Sequence, residues 1–271
     1  LPLIAAAGHR GVASDLPGHG QDLTHPSRVS LEACVRRVVA ELDRCDDAVL
    51  VAHSRNGIVI SQAAERRPER VACLVYLAAY MVPDGRTMME YALTDTGSLV
   101  LQNTETTAPR RWFGALARWL RRPLPRWLAM RLLPRRWQVH ALRPEAYREA
   151  LYHDCEPAIT ELANVLLEPE PHWAGFTPLR LTPARYGRVP RVYIECTEDR
   201  AVTPALQRRM IDDSPGARVV SLRSGHSPFF SQPERLTEVL CESVSEIYVT
   251  GDLPARAKTR RDQAMIRSTI T

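Results

Sequence analysis

Val49-Leu50-Val51-Ala52-His53-Ser54-Arg55-Asn56-Gly57-Ile58-Val59-Ile60 is the stretch whose reading decides the fold. An apolar run of β type ends in a small residue, presents a serine between bulky neighbours, and restarts as a helix. That is the strand–turn–helix context of a nucleophile elbow, where a sharp turn lifts a serine hydroxyl clear of the sheet edge. Small residues are needed where strand and helix nearly touch, and Ala52, Asn56 and Gly57 supply them. Asn56 stands where a glycine is usual, two residues after the serine. Asparagine tolerates unusual backbone angles better than most residues, so the turn is weakened rather than excluded.

Working outward, strand signals alternate with helix signals, which predicts an α/β fold with a mainly parallel sheet flanked by helices. Arg10–Ser14 is a short candidate strand, closed by the turn-rich Asp15-Leu16-Pro17-Gly18-His19-Gly20. Ser30 can cap a helix bearing Leu31, Val35, Val38, Val39 and Leu42 on one face. Asp47–Ala52 is the strand of the elbow, and Val71–Ala79 reads as a long buried strand. After Pro83-Asp84-Gly85 the rhythm changes: residues 85–185 hold all five tryptophans and read as a helical cap broken by prolines. The alternation returns with a strand at Arg191–Cys196, a helix opened by Thr203 and Pro204, and a last strand at Ala217–Leu222. A closing helix starts at Ser231-Gln232-Pro233-Glu234 and buries Leu236, Val239, Leu240, Val244 and Ile247. The core is thus expected in 1–84 and 186–251, with the polar, basic and aperiodic 252–271 as a mobile tail.

Composition narrows the class. With 271 residues, 45% hydrophobic and 25% charged, the chain can build a substantial globular core. No apolar run approaches the ~18 residues of a membrane span, and Leu1–Ala7 lacks the basic flank and cleavage region of a secretory signal. The net charge of +5 comes from arginine, Lys258 being the one lysine; no nucleic-acid motif accompanies it, so a nucleic-acid partner is not expected. The six cysteines form no C-x-x-C pair and several sit in apolar periodic segments, which suits a reducing cytoplasm better than a disulfide framework or a zinc site.

Serine is a poor nucleophile unless a base accepts its proton and a third group orients that base. Where an elbow serine comes first, the acid and then the histidine follow on loops at the C-terminal ends of late strands. Asp199, in Thr197-Glu198-Asp199-Arg200, follows the strand ending at Cys196. His226, in Ser224-Gly225-His226-Ser227-Pro228, follows the strand ending at Leu222. Glu198 is the adjacent competitor for the acid and Asp84 a remote one. His53 lies beside the serine, but an elbow points adjacent side chains away from the nucleophile. His19 reads as a turn residue, and His153 and Asp154 as cap residues that line the pocket or serve structure.

Taken together, Asp15–Gly20, the Ala52–Gly57 elbow, Pro68-Glu69-Arg70-Val71, Thr197–Arg200 and Gly225-His226-Ser227-Pro228 resemble the α/β-hydrolase fold family. The nearest group is the esterases related to plant methylesterases and hydroxynitrile lyases, and the similarity covers roughly residues 1–248. The resemblance implies Ser54 as nucleophile, His226 as base, Asp199 as its orienting acid, the backbone N–H of Arg55 as an oxyanion donor, small to medium ester substrates and no cofactor. It also implies a central strand ending in a His-Gly motif, between the segments 10–14 and 47–52, whose loop supplies a second oxyanion donor. This sequence starts after that point, at what reads as the end of the first helix, so the expectation is a truncated start or a repair of the sheet by another segment. Hydroxynitrile lyases of the group need a lysine directly after the histidine; Ser227 stands there, which disfavours cyanogenic lyase activity.

One stretch asks for a separate reading. From Thr106 to Pro144 there is no acidic residue, while ten arginines are interleaved with Trp, Leu and Met. A basic amphipathic segment with aromatic anchors can lie on an anionic membrane, but a substrate cap with arginines on its solvent face accounts for it more simply in an arginine-biased chain. The expectation is a serine hydrolase acting on a carboxylic ester or lactone. The alternatives are a low-turnover ligand-binding or receptor protein, or a lyase, on the same scaffold. The oligomeric state is not legible.

Overall fold

A computed structural model of the chain describes residues 1–107, 139–250 and 265–269. Five strands form the main sheet: β1 Ala48–His53, β2 Val71–Leu77, β6 Arg191–Cys196, β7 Ala217–Leu222 and β8 Met265–Thr269. Their order is β7-β6-β2-β1-β8 and every pairing is parallel. All residues of β1 and β2 are buried, as expected of central strands covered on both faces.

The period of two sorts β1 between two cores. Ala48, Leu50 and Ala52 join the cluster formed with helices Leu31–Leu42, Gly57–Arg66 and Pro204–Asp213. Val49 and Val51 join the opposite cluster, with Ile4 of helix Pro2–Ala6 and Leu236, Val239, Leu240 and Val244 of helix Pro233–Thr250. The Leu31–Leu42 helix is capped as its sequence indicates, Ser30 Oγ accepting from the N–H of Ala33 at 3.1 Å.

Three expectations change. The segment 10–14 makes only an isolated bridge at Val12 and no strand. The polar tail contains β8, which hydrogen-bonds along β1 in the sheet position that the family resemblance reserves for another strand. Residues 265–269 thus form a strand rather than an aperiodic segment, and they partner the peptide groups along an otherwise open edge of β1. The cap between 85 and 185 is not purely helical. Alongside short helices it holds a three-stranded antiparallel sheet of β3 Thr104–Thr107, β4 Val139–Leu142 and β5 Glu170–Pro171, in the order β3-β4-β5. The β-branched threonines of β3 favour that conformation. Of the arginine–tryptophan stretch, residues 108–138 lie outside the described residues, as do 251–264. Among the described residues no helix is long and apolar enough to cross a membrane.

Candidate active site

The site is built where β1, β6 and β7 end. β1 runs into Ser54, whose φ of 54° falls in the left-handed region that non-glycine residues rarely adopt. The strain belongs to the serine, not to Asn56, whose φ is −72°. The substitution of Asn for Gly at that position is thereby explained: ordinary helical backbone suits any residue there. Gly57, in contrast, is required by close approach, since a Cβ on it would lie 2.4 Å from the carbonyl oxygen of Tyr80. The same segment supports the elbow from outside, the N–H of Tyr80 donating to the carbonyl of Ser54 at 2.9 Å. The chain continues through a 3-10 turn, Ser54–Asn56, into the Gly57–Arg66 helix. Arg55 therefore sits at a helix start, where backbone N–H groups lack intrahelical acceptors.

β6 and β7 deliver the other two residues. Asp199 and His226 are both buried, and the His226 Nδ1–H donates to Asp199 Oδ2 at 2.7 Å. The second carboxylate oxygen accepts from the N–H groups of Ala201 and Val202 at 2.7 and 2.9 Å. Those two bonds fix the carboxylate plane, and the contact to Nδ1 leaves Nε2 of His226 as the acceptor nitrogen. No hydrogen bond joins Ser54 Oγ to the imidazole among the described residues; such contacts are often loose before substrate binds. His53, the chain neighbour of Ser54, does touch the histidine: its ring centroid is 4.3 Å from that of His226, and its Nε2–H donates to the His226 carbonyl at 2.8 Å. Burial, and next the neighbouring His226, hold the His53 pKa well below its ordinary value, so His53 is a neutral donor.

The competing residues lie elsewhere. Glu198 carries an exposed ion pair with Arg223 at 2.7 Å. Asp84 accepts from the N–H of Leu181 at 2.7 Å, tying the end of the cap to the core. His153 and Asp154 do not reach His226 by side-chain contact; they bond the backbone of the loops that carry the acid and the base. His19 places Nδ1 3.0 Å from Pro17 O and Nε2 2.9 Å from Glu170 of β5. Both partners are acceptors, which favours the doubly protonated ring, whereas burial and then Arg55 lower its pKa. The neutral ring makes one of the two bonds at a time.

Sequence reasoning missed Glu170, which also pairs with the guanidinium of Arg55 and so anchors the cap sheet to the residue after the serine. A two-residue strand 151 positions from His19 leaves no periodic signal. No group of His, Cys, Asp and Glu that could hold a metal occurs among the described residues. An apolar cavity of about 100 Å³, with Leu1, Ile4, Val51, Leu77, Phe229 and Leu236 in its wall, lies between the sheet and its terminal helices and does not include Ser54, Asp199 or His226 in its lining.

A β-sheet with an elbow serine and an acid–histidine pair on later loops defines a class, and the sequence profile of the alpha/beta hydrolase family matches residues 1–239: the chain belongs to that family. It is an enzyme of the hydrolase class, with esterases and hydrolases among its named relatives. It is 31% identical over 249 residues to a pyrethroid hydrolase of Sphingobium wenxiniae, covering 89% of this chain and 80% of that protein. Methylesterase 7 of Arabidopsis thaliana is 30% identical, with 88% of this chain and 87% of the relative covered. Salicylic acid-binding protein 2 of Nicotiana tabacum is 27% identical over 91% and 89% of the two chains. Among solved structures, a pyrethroid hydrolase superposes with a TM-score of 0.70 at 28% identity, covering 90% of this chain and 89% of the other.

Proposed function

We propose that this hydrolase cleaves a carboxylic ester or lactone through an acyl-enzyme on Ser54. The observation that carries the reading is the buried Asp199–His226 contact at 2.7 Å, beside an elbow whose serine has a φ of 54°. The relatives' names add support, since pyrethroids and methyl esters are both ester substrates.

In this mechanism His226 Nε2 takes the Ser54 proton as Oγ attacks the carbonyl, then returns it to the departing alkoxide. Water, activated by the same nitrogen, releases the acid and restores the serine. Asp199 holds the Nδ1–H tautomer and stabilises the imidazolium that forms between the two transfers. The N–H of Arg55 meets the oxyanion of the tetrahedral intermediate, and loss of one such donor typically costs about 10²–10³ in rate. Serine, imidazole, carboxylate and water balance every step, so no cofactor enters. The reading extends to a cytoplasmic setting, supported by six cysteines that are all free thiols.

A fluorophosphonate probe and p-nitrophenyl acetate test it together. The wild type is labelled and turns over ester; Ser54→Ala does neither. An unlabelled wild type, or a labelled Ser54→Ala variant, overturns the assignment. Thermal stabilisation by a ligand without labelling or turnover would instead identify a binding protein.

A further inference from the structure

We propose that His153 and Asp154 of the cap are positioning residues that clamp the two loops bearing Asp199 and His226. The inference rests on the serine-hydrolase reading for its catalytic consequence, but its geometry is independent of it. Asp154 Oδ2 accepts from the N–H of Gly225, the residue before His226, at 2.7 Å. The His153 Nε2–H donates to the carbonyl of Glu198, the residue before Asp199, at 2.9 Å. Two consecutive cap residues thus hold the backbone immediately ahead of the acid and of the base. The loops are themselves joined, Glu198 N–H donating to Ser224 O at 3.0 Å, so the clamp grips one unit.

Gly225 records how close the approach is. A Cβ there would stand 2.5 Å from Asp154 Oδ1 and 3.0 Å from His153 Nε2, so only glycine lets the cap carboxylate reach the peptide. Cys155 follows on the same turn; burial, and next Asp154, push its thiol up to about 12, and it lies 3.9 Å from the carbonyl of Ser227. On the opposite side the His226 carbonyl is taken by His53 at 2.8 Å. The base is therefore held between the elbow below and the cap above, through its own backbone and that of its neighbour. Cap docking then sets the position of the imidazole relative to Ser54, and a misplacement of about 1 Å at such a group can cost up to ~10²-fold in rate.

The test compares Asp154→Ala, Asp154→Asn and Gly225→Ala in the full chain. Three readouts are taken: the bimolecular rate of fluorophosphonate labelling, kcat and KM for p-nitrophenyl acetate, and amide hydrogen exchange across 224–228. Asp154→Ala is expected to slow labelling and kcat about tenfold or more, to leave KM nearly unchanged, and to speed exchange at Gly225. Asp154→Asn keeps an acceptor oxygen and is expected to stay within about threefold of wild type. Gly225→Ala is expected to be as slow as Asp154→Ala, and the double variant no slower than either, because both remove one contact. Unchanged exchange at Gly225, or multiplying effects in the double variant, would overturn the clamp. So would faster exchange with an unaltered labelling rate. If the wild type itself is neither labelled nor active, the serine reading fails, while the exchange and its response to Asp154→Ala still decide the clamp.

Discussion

Asp199 has no idle oxygen. Oδ1 is committed to two backbone N–H donors and Oδ2 to the imidazole, so the side chain cannot rotate without leaving a buried donor unpaired. Asparagine at this position keeps its carbonyl on the two N–H groups and turns its NH₂ toward His226 Nδ1. That nitrogen must then accept, and the proton moves to Nε2, the nitrogen that should receive the serine's proton. For Asp199→Asn we expect kcat to fall about 10³–10⁴-fold, as the same change does in other Ser–His–Asp sites, with KM altered little. Steady-state kinetics on p-nitrophenyl acetate check it; a loss under about tenfold would remove Asp199 from the relay. The strain at Ser54 belongs to this scale too. A φ of 54° is maintained because Tyr80 bonds the Ser54 carbonyl and Gly57 lets that segment approach.

At the scale of elements, what the sequence discloses depends on length and locality. β1, β6 and β7 are strands of six residues ending in polar loops, and the order serine, aspartate, histidine follows from reading those ends. The fold class was legible there, and so were Asp199 and His226, which the structure brings into contact. The cap sheet was not: β5 has two residues, and its pairing with β4 and the contact of Glu170 with His19 are long-range. β8 was hidden for another reason, since a short strand in polar sequence shows no alternation to find. The cap anchor carries a prediction. Glu170→Ala leaves the Arg55 guanidinium without its carboxylate while that side chain is only 23% exposed. Breaking a fully buried pair costs about 3–5 kcal/mol. Glu170 is 38% exposed, so we expect a smaller loss of about 1–2 kcal/mol in urea unfolding. A midpoint unchanged from wild type would show that the anchor contributes nothing to stability.

At the scale of the whole molecule, folding makes His19 and His53 harder to protonate. His53 is buried against the His226 and Phe229 rings, and its pKa lies well below the ordinary 6.5, chiefly through desolvation. His19 is lowered from the same value by burial and then by Arg55, partly offset by Pro17, Glu168 and Asp15. In the unfolded chain both revert to ordinary titration. Below pH about 6.5 the unfolded state therefore binds protons that the folded state refuses, and unfolding gains. The contribution is whole above that pH and is lost as pH falls toward the lowered folded values. Each histidine contributes at most ~1.4 kcal/mol per pH unit inside its window. Urea unfolding should accordingly give equal stabilities at pH 7.5 and 8.5 from these two groups, and a steady decline between pH 6.5 and 5. His53→Gln retains an N–H donor for the His226 carbonyl but takes up no proton, so it should flatten that decline while largely preserving stability at pH 7.5. A variant with the full wild-type slope would mean that the acid sensitivity arises away from the elbow.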